Sequence, residues 1–339
     1  MNRSRKHPMR WLVPLSLLVV SLVSLFGVQA SRSHAPLLRA LVAATAPEPQ
    51  QPKFQLDCSI PALTTEPVKA DNVCGKTGSA SASSRSGKQN VIKNRFCLPG
   101  SQTTPVEISF DTIDSLQQAA RDKDIPFGRI KLANGKTKEN LPPNRSVLTD
   151  LFTTSQGDHL GEGKLVTLEG FVFKAQHSNT FVVGSDTGES VNCNTISLLG
   201  NDIHIAISKT KADAAAAVTG TTAQRKKAEC RTITAEITPH HRSQIYDRFD
   251  TNPADFLQGA HQKTGQDKLE GSPLPLQGAR VRITGQLFFD ASHSPCRNGK
   301  GAPPRRSIWE IHPVFAISVF DPSQDQFVSL EEWVANHSQ

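Results

Sequence analysis

Three segments of the sequence alternate apolar residues with side chains that could do chemistry. The segment "IWEIHPV" places Glu310 and His312 two residues apart, and "DIHIAIS" places Asp202 and His204 in the same relation. Imidazoles and carboxylates bind divalent cations and exchange protons near neutral pH. These pairs therefore indicate a metal site or an acid–base site, provided that the segments lie side by side.

The third segment, "CRTITAEIT", contributes Glu236, and "PHHR" follows it with His240. If the three segments are neighbouring strands, their polar faces merge into one surface. The predicted binding residues are Asp202, His204, Glu236, His240, Glu310 and His312. The sequence does not identify a cofactor, although a divalent metal would suit these ligands.

A purely structural interpretation of the same residues stays open. Alternation places polar side chains on the outer face of any antiparallel sheet. The spacings do not match a metal-ligand motif such as H-E-x-x-H, and no serine or cysteine has the setting of a catalytic nucleophile. Catalytic residues are therefore not assigned from the sequence.

From Lys164 onward the chain alternates with a period of two, which is typical of strands with one buried face. The apolar series run over Val166–Val172, Ile203–Ile207, Ile233–Ile237, Val281–Leu287 and Trp309–Val319. Such strands, separated by turns and one helical segment, predict an antiparallel barrel or sandwich. In the last strand, alternation places Trp309, Ile311 and Phe315 in the core.

Two segments resemble the OB fold: "VTLEGFVFKAQHSNTFVVGSDTGESVNCN" and "ARVRITGQLFFD". The first is similar to the opening of OB domains, with a glycine near the middle of a strand, a turn and a second strand. The resemblance implies a mainly-β fold, an OB-like antiparallel β-barrel with a short helix, over residues 160–322. A small mixed α/β region would precede it. Because OB folds serve many functions, the resemblance implies no activity and no site residues.

The chain before the barrel is predicted to contain three regions. Residues 1–30 combine basic residues, an apolar run and the small residues of "GVQA", which is typical of a signal peptide cleaved before Ser31. An uncleaved membrane anchor is the alternative, and this segment would then be the only membrane contact. Residues 31–53 predict a disordered tether, and residues 54–145 a Cys-containing region with a flexible loop over 74–90. A turn and a short helix are predicted over 323–339.

The basic character of the chain comes largely from its first residues. The formal net charge is +7, with 38 Lys and Arg against 31 Asp and Glu. Residues 1–30 contain four of the basic residues and no acid, so their removal leaves 34 against 31, or +3. The basic loop 293–306 has no interleaved aromatic residues for base stacking. The mature chain thus has no strong nucleic-acid signature, and its partners are unknown.

Both interpretations of the N-terminus export the chain to the periplasm or out of the cell, where cysteines form disulfides. The six candidates are Cys58, Cys74, Cys97, Cys193, Cys230 and Cys296. Three precede the predicted barrel and three lie within it. Either at least one bridge therefore joins the two groups, or two thiols remain free.

These features favour an exported OB-like binding protein of unknown ligand. The alternative is a metal-dependent hydrolase, of the phosphodiesterase or nuclease type, that uses the Asp/Glu/His face. A structural protein of the cell envelope is a third hypothesis. Whether the protein is an enzyme is left open by the sequence.

Export makes the state of the cysteines a first test. Thiol titration of the native protein, denatured without reductant, should find two or fewer free thiols among the six cysteines, because an oxidising compartment keeps them bridged. Six free thiols would instead place the protein in a reducing compartment and contradict export.

Overall fold

The structure, a computed structural model, describes residues 56–57, 75–94, 98–99, 104–177, 189–194, 198, 200–239, 244–251 and 271–337. The predicted signal segment and tether lie outside these residues. So do Cys58, Cys74, Cys97 and His240. Within the described part of the chain, none of the helices has the length and apolar character needed to span a bilayer.

The elements before the barrel are β1 (Leu56–Asp57), α1 (Arg85–Lys93), β2 (Leu98–Pro99), β3 (Val106–Ile108), α2 (Phe110–Asp122), β4 (Arg129–Lys131), β5 (Thr137–Glu139), β6 (Phe152–Thr153) and β7 (His159–Leu160). The barrel region contains β8 (Leu165–His177), β9 (Ile203–Ser208), α3 (Lys211–Thr219), α4 (Thr222–Glu229), β10 (Ile233–Ile237), α5 (Gln244–Asp247), β11 (Arg280–Phe289) and β12 (Trp309–Asp321). The chain continues with β13 (Gln326–Ser329) and α6 (Leu330–His337). Short 3₁₀ turns cover Ser146–Leu148 and Ser190–Asn192.

Five strands, β8 to β12, form a closed barrel. Their order is β10-β9-β8-β11-β12, and β10 pairs with β12 to close the ring. The closing pair is parallel and registers Ala235 against Ile311, and β3 is parallel to β8. The predicted barrel is confirmed, but a wholly antiparallel barrel is wrong. Alternation shows which face of a strand is buried and carries no information on strand direction.

Apolar side chains at alternate positions fill the barrel interior. Ile203 and Ile207 of β9 are fully buried, as are Trp309 and Ile311 of β12. The Trp309 ring packs edge-on against Phe289, with 5.0 Å between the ring centroids. The predicted core faces of these two strands are confirmed at these positions.

The alternation in β12 is interrupted around Pro313. The register with β11 shifts on both sides of Gly285, which lies opposite Val314. Val314 packs into the main core, so the constant alternation predicted from Trp309 to Val319, with Pro313 as its one apolar gap, is wrong here. Proline cannot donate to the ladder, and an irregularity of one residue moves the next side chain to the other face. A Cβ on Gly285 would lie 2.5 Å from the Pro313 carbonyl oxygen, so this close approach of the strands requires glycine.

Helix α1 covers part of the outer face of the barrel. The flexible loop predicted over residues 74–90 is wrong for its second half, because Ser84 caps a helix there. The Ser84 hydroxyl accepts a hydrogen bond from the Gly87 N–H at 2.9 Å. The buried residues of the helix are Gly87, Gln89, Asn90, Ile92 and Lys93. Most of them are polar, so the helix brings polar side chains against the barrel.

A disulfide connects the end of α4 to the loop between β11 and β12. Cys230 is bonded to Cys296, with 5.6 Å between the Cα atoms and a sequence separation of 66. Cys193 is also disulfide-bonded, to a partner outside the described residues. These bridges fit an oxidising compartment.

Burial of Trp309 gives a test of the barrel core. Replacing Trp309 with Ala should lower the free energy of unfolding by about 3–5 kcal/mol, because a large side chain leaves a cavity in a packed interior. Trp309→Phe, which retains a ring, should cost clearly less. Chemical denaturation measures both values, and a loss below about 1 kcal/mol for the alanine variant would contradict the core position.

Candidate metal-binding site

A cavity of about 380 Å³ lies on the outer face of the barrel, within the size range of small-molecule sites. Its walls are α1, strands β9 and β10, and the loops between β8 and β9 and between β11 and β12. The charged and histidine residues that line it are Lys93, Glu139, Lys174, Glu189, His204, Glu229, Glu236, His293 and Arg305. We refer to this cavity as the polar pocket.

The fold brings five of the six predicted binding residues together, and two of them, His204 and Glu236, line this pocket. The β9–β10 register places His204 directly opposite Glu236. Potential ligand atoms form two groups, each with its atoms within 4.8 Å of one another. The outer group is Glu189, Asp202, His204 and Glu236, and the inner group is Glu236, Glu310 and His312. The remaining predicted residue, His240, lies outside the described residues.

The outer group has the more open geometry. His204 Nε2 lies 3.2 Å from Glu189 Oε1 and 3.4 Å from Glu236 Oε1. Neither contact has hydrogen-bond geometry. The side chains of His204 and Glu189 are 32% and 28% exposed, so the group is accessible from the polar pocket.

Asp202 is the fourth member of the outer group. Its side chain is almost fully buried, and both carboxylate oxygens lack a hydrogen-bond partner among the described residues. A buried carboxylate without partners is costly, because desolvation is not offset. Burial raises the pKa of Asp202 to about 6; the charges of His312 and Lys93 act against this shift, whereas those of Glu189 and Glu236 add to it. Asp202 is thus a buried acid without a hydrogen-bond partner among the described residues.

The inner group is closed to solvent. His312 Nδ1 lies 3.2 Å from Glu236 Oε2, but Glu310 and His312 are both fully buried. The predicted solvent-facing surface is therefore wrong for these two residues. Lys93 covers Glu236 at 3.2 Å, and Arg305 donates to Glu310 at 3.0 Å. Alternation assigned the residues to the outer face and could not reveal that a helix and a loop cover it.

The two glutamates of the inner group, Glu236 and Glu310, have opposite pKa shifts. Burial would raise the pKa of Glu236, but Lys93, His204 and His312 outweigh it and hold that pKa well below its usual range. Burial also raises the pKa of Glu310 well above its usual range, and the Glu236 carboxylate adds to this. The surroundings therefore favour the ionised form of Glu236, which belongs to both groups, and the protonated form of Glu310.

The pKa of His204 is set by burial and by its two acidic neighbours, Glu189 and Glu236. Burial would lower the pKa of His204, but Glu236 and Glu189 raise it well above its usual value. For Glu189, burial acts against ionisation, yet His204 and Lys93 lower the pKa to about 2. His204 is therefore an imidazolium between two carboxylates in the metal-free protein.

Sequence reasoning missed two members of the site, Glu189 and Lys93. Glu189 lies in a loop, where periodicity assigns no face. Lys93 lies one helical turn after Gln89, just beyond the segment 74–90 whose Gly and Ser content predicted a loop. The Ser84 N-cap was the one local signal that could have indicated α1.

No protein-family model matches the chain, and neither the curated proteins nor the solved structures compared with it gave a match. The chemistry of the site has to follow from its own geometry.

The raised pKa of Asp202 predicts a pH-dependent stability difference. The folded protein keeps a proton that the unfolded chain loses, so this residue's contribution to stability falls as pH rises from about 4 to about 6. Asp202→Asn stays neutral and avoids that loss. With a chelator present, the difference in unfolding free energy between Asp202→Asn and wild type should shift in favour of the variant. The expected shift is on the order of 2 kcal/mol between about pH 4 and about pH 7.5. Denaturant titrations at both pH values measure this, and an unchanged difference would contradict the assignment.

Proposed function

We propose that this protein is an exported, OB-like binding protein whose polar pocket holds a divalent transition-metal ion. The ligands are the outer group, Glu189, Asp202, His204 and Glu236. The observation that carries the proposal is the buried Asp202 carboxylate, which has no hydrogen-bond partner among the described residues and belongs to a group that includes an imidazole. A cation would supply the missing partner.

The spacing of the ligand atoms supports this proposal. Zinc binds His nitrogen and carboxylate oxygen at about 2.0–2.2 Å, so tetrahedral ligands lie about 3.4 Å from each other. The distances from His204 Nε2 to the Glu189 and Glu236 oxygens are 3.2 and 3.4 Å. An ion could thus enter with little movement of these three side chains.

The charge of the group supports a divalent ion. When ionised, Glu189, Asp202 and Glu236 carry three negative charges, and the His204 imidazolium offsets one of them. Metal binding would replace the proton of His204, so it would be coupled to proton release and would weaken at low pH. One imidazole with three carboxylates suits Zn²⁺ or Mn²⁺ better than Ca²⁺ or Mg²⁺, which prefer oxygen ligands alone.

The position of the pocket supports an OB-like assignment. If β8 to β12 are numbered one to five, the pocket lies on strands two and three, between the loops that connect strands one and two and strands four and five. This is the region in which OB folds bind their ligands. The Cys230–Cys296 bridge supports export to an oxidising compartment.

Calorimetric titration of the chelator-treated full chain with ZnCl₂ or MnCl₂ tests the site. We expect one equivalent to bind near neutral pH with release of about one proton, measured by repeating the titration in buffers of different ionisation enthalpy. Asp202→Asn and His204→Ala should each weaken binding at least about tenfold, which corresponds to 1.4 kcal/mol.

His159→Ala is the matched control, because His159 is a largely exposed imidazole outside the polar pocket. It should bind the ion as wild type does. Equal losses in all three variants, or no binding by the wild type, would contradict a site at the outer group.

A further inference from the structure

A second polar pair lies at the rim of the polar pocket, in the loop between β11 and β12. His293 Nδ1 lies 2.5 Å from Asp290 Oδ2. Asp290 is buried, whereas His293 is 34% exposed and lines the pocket. A carboxylate at Nδ1 selects the tautomer that carries its proton there, so Nε2 keeps a lone pair that can accept a proton.

The Asp290 carboxylate is held firmly in place. Its other donors are the Ser292 hydroxyl, Arg305 Nη1 at 3.2 Å and Gln89 Nε2 at 3.4 Å. Burial would raise the pKa of Asp290, but His293, Lys93 and Arg305 outweigh it and hold that pKa well below its usual range. An ionised carboxylate in this position orients the imidazole.

Helix α1 fixes this pair relative to the outer group. Gln89 contacts Asp290, and Lys93, four residues later, contacts Glu236 at 3.2 Å. Four residues correspond to about 6 Å along a helix. Arg305 links the pair to the inner group, because its Nη1 donates to both Asp290 and Glu310. His293 lines the same cavity as Glu189, His204 and Glu236 of the outer group.

From this arrangement, and on the basis of the proposed metal site, we infer that the polar pocket hydrolyses a phosphodiester with His293 as the general base. His293 Nε2 takes one proton from a water molecule. The resulting hydroxide forms a bond to phosphorus as the bond from phosphorus to the leaving oxygen breaks. The leaving alkoxide takes a proton from the His293 imidazolium, which regenerates the base. The products are a phosphomonoester and an alcohol. Asp290 is a positioning residue in this scheme.

The charges of the pocket favour a phosphodiester over an uncharged ester. Lys93 and Arg305 line the cavity beside the outer group, but both are paired with buried carboxylates, so a bound divalent ion would supply the unpaired positive charge. A phosphodiester carries a negative charge that grows on the phosphoryl oxygens during attack. Fixed cations in a partly desolvated pocket stabilise that charge.

Hydrolysis of bis(p-nitrophenyl) phosphate by the full chain, loaded with Mn²⁺ or Zn²⁺, tests the inference. We expect turnover above that of the free ion, and a loss of about 100-fold in kcat for His293→Ala, typical of a removed general base. Metal stoichiometry, measured on the same preparations, should stay at wild-type level. Asp290→Asn should reduce kcat and alter the acidic limb of the pH profile, whereas His159→Ala should leave both unchanged.

Three results would overturn the inference. The first is a metal-loaded wild type that does not exceed the free ion in rate. The second is His293→Ala with wild-type kcat, and the third is hydrolysis of p-nitrophenyl acetate without hydrolysis of the phosphodiester. Failure of the metal site is recognised separately, because the wild type would then bind no ion. Loss of activity in His293→Ala counts as support only if its denaturation midpoint matches that of His159→Ala.

Discussion

The carboxylate of Glu236 imposes the constraint on which the rest of the site depends. It projects from the outer face of β10, yet its side chain is only 2% exposed. A charge removed from water is stable only when it is paired with good geometry. Its partners are Lys93 Nζ at 3.2 Å, His312 Nδ1 at 3.2 Å and His204 Nε2 at 3.4 Å. They come from α1, β12 and β9, so the Glu236 carboxylate connects α1 to two other strands of the barrel.

Helix α1 buries polar side chains because they pair with buried charges. Lys93 pairs with Glu236, and a second buried ion pair, Arg145 with Glu162, lies beside the helix. Arg145 Nη1 donates to Gln89 Oε1 at 3.0 Å, and Arg145 Nη2 donates to the Phe289 carbonyl oxygen at 2.6 Å. The helix is thus attached to the barrel by hydrogen bonds and ion pairs as well as by Ile92. Such networks are stabilising only when all members are satisfied, and they specify one arrangement of the helix.

The sequence predicted the strands well because their signal is local. Period-two alternation identified the core faces of β9 and β12, including Trp309 and Ile311, and therefore also the outward direction of His204 and Glu236. Two kinds of information were not local. The cover over Glu236 depends on Lys93 in a helix far away in sequence, and the irregularity at Pro313 depends on how two strands pair. Strand direction was also unpredictable, because a parallel closing pair has the same alternation as an antiparallel one.

The cysteines show the same limit. Their even number and the exported setting predicted disulfides, and the structure pairs Cys230 with Cys296. Which cysteines pair could not be derived, since the residues are far apart in the chain and meet only after the barrel has closed. The bridge attaches the loop that carries Asp290, His293 and Arg305 to the residue that follows α4. The disulfide therefore also holds a wall of the polar pocket.

The seam of the barrel, where β10 pairs with β12 to close the ring, lies beside the candidate site. Strands β10 and β12 are joined by one registered pair, Ala235 with Ile311, whereas β9 and β10 share five. Glu236 follows that pair on one strand, and Glu310 and His312 flank it on the other. Regions with few backbone hydrogen bonds open first in local fluctuations. Because the Glu236 contacts span this closing pair, an ion bound at Glu236 would stabilise the pairing of β10 with β12 against local opening. Amide exchange would then slow along both strands.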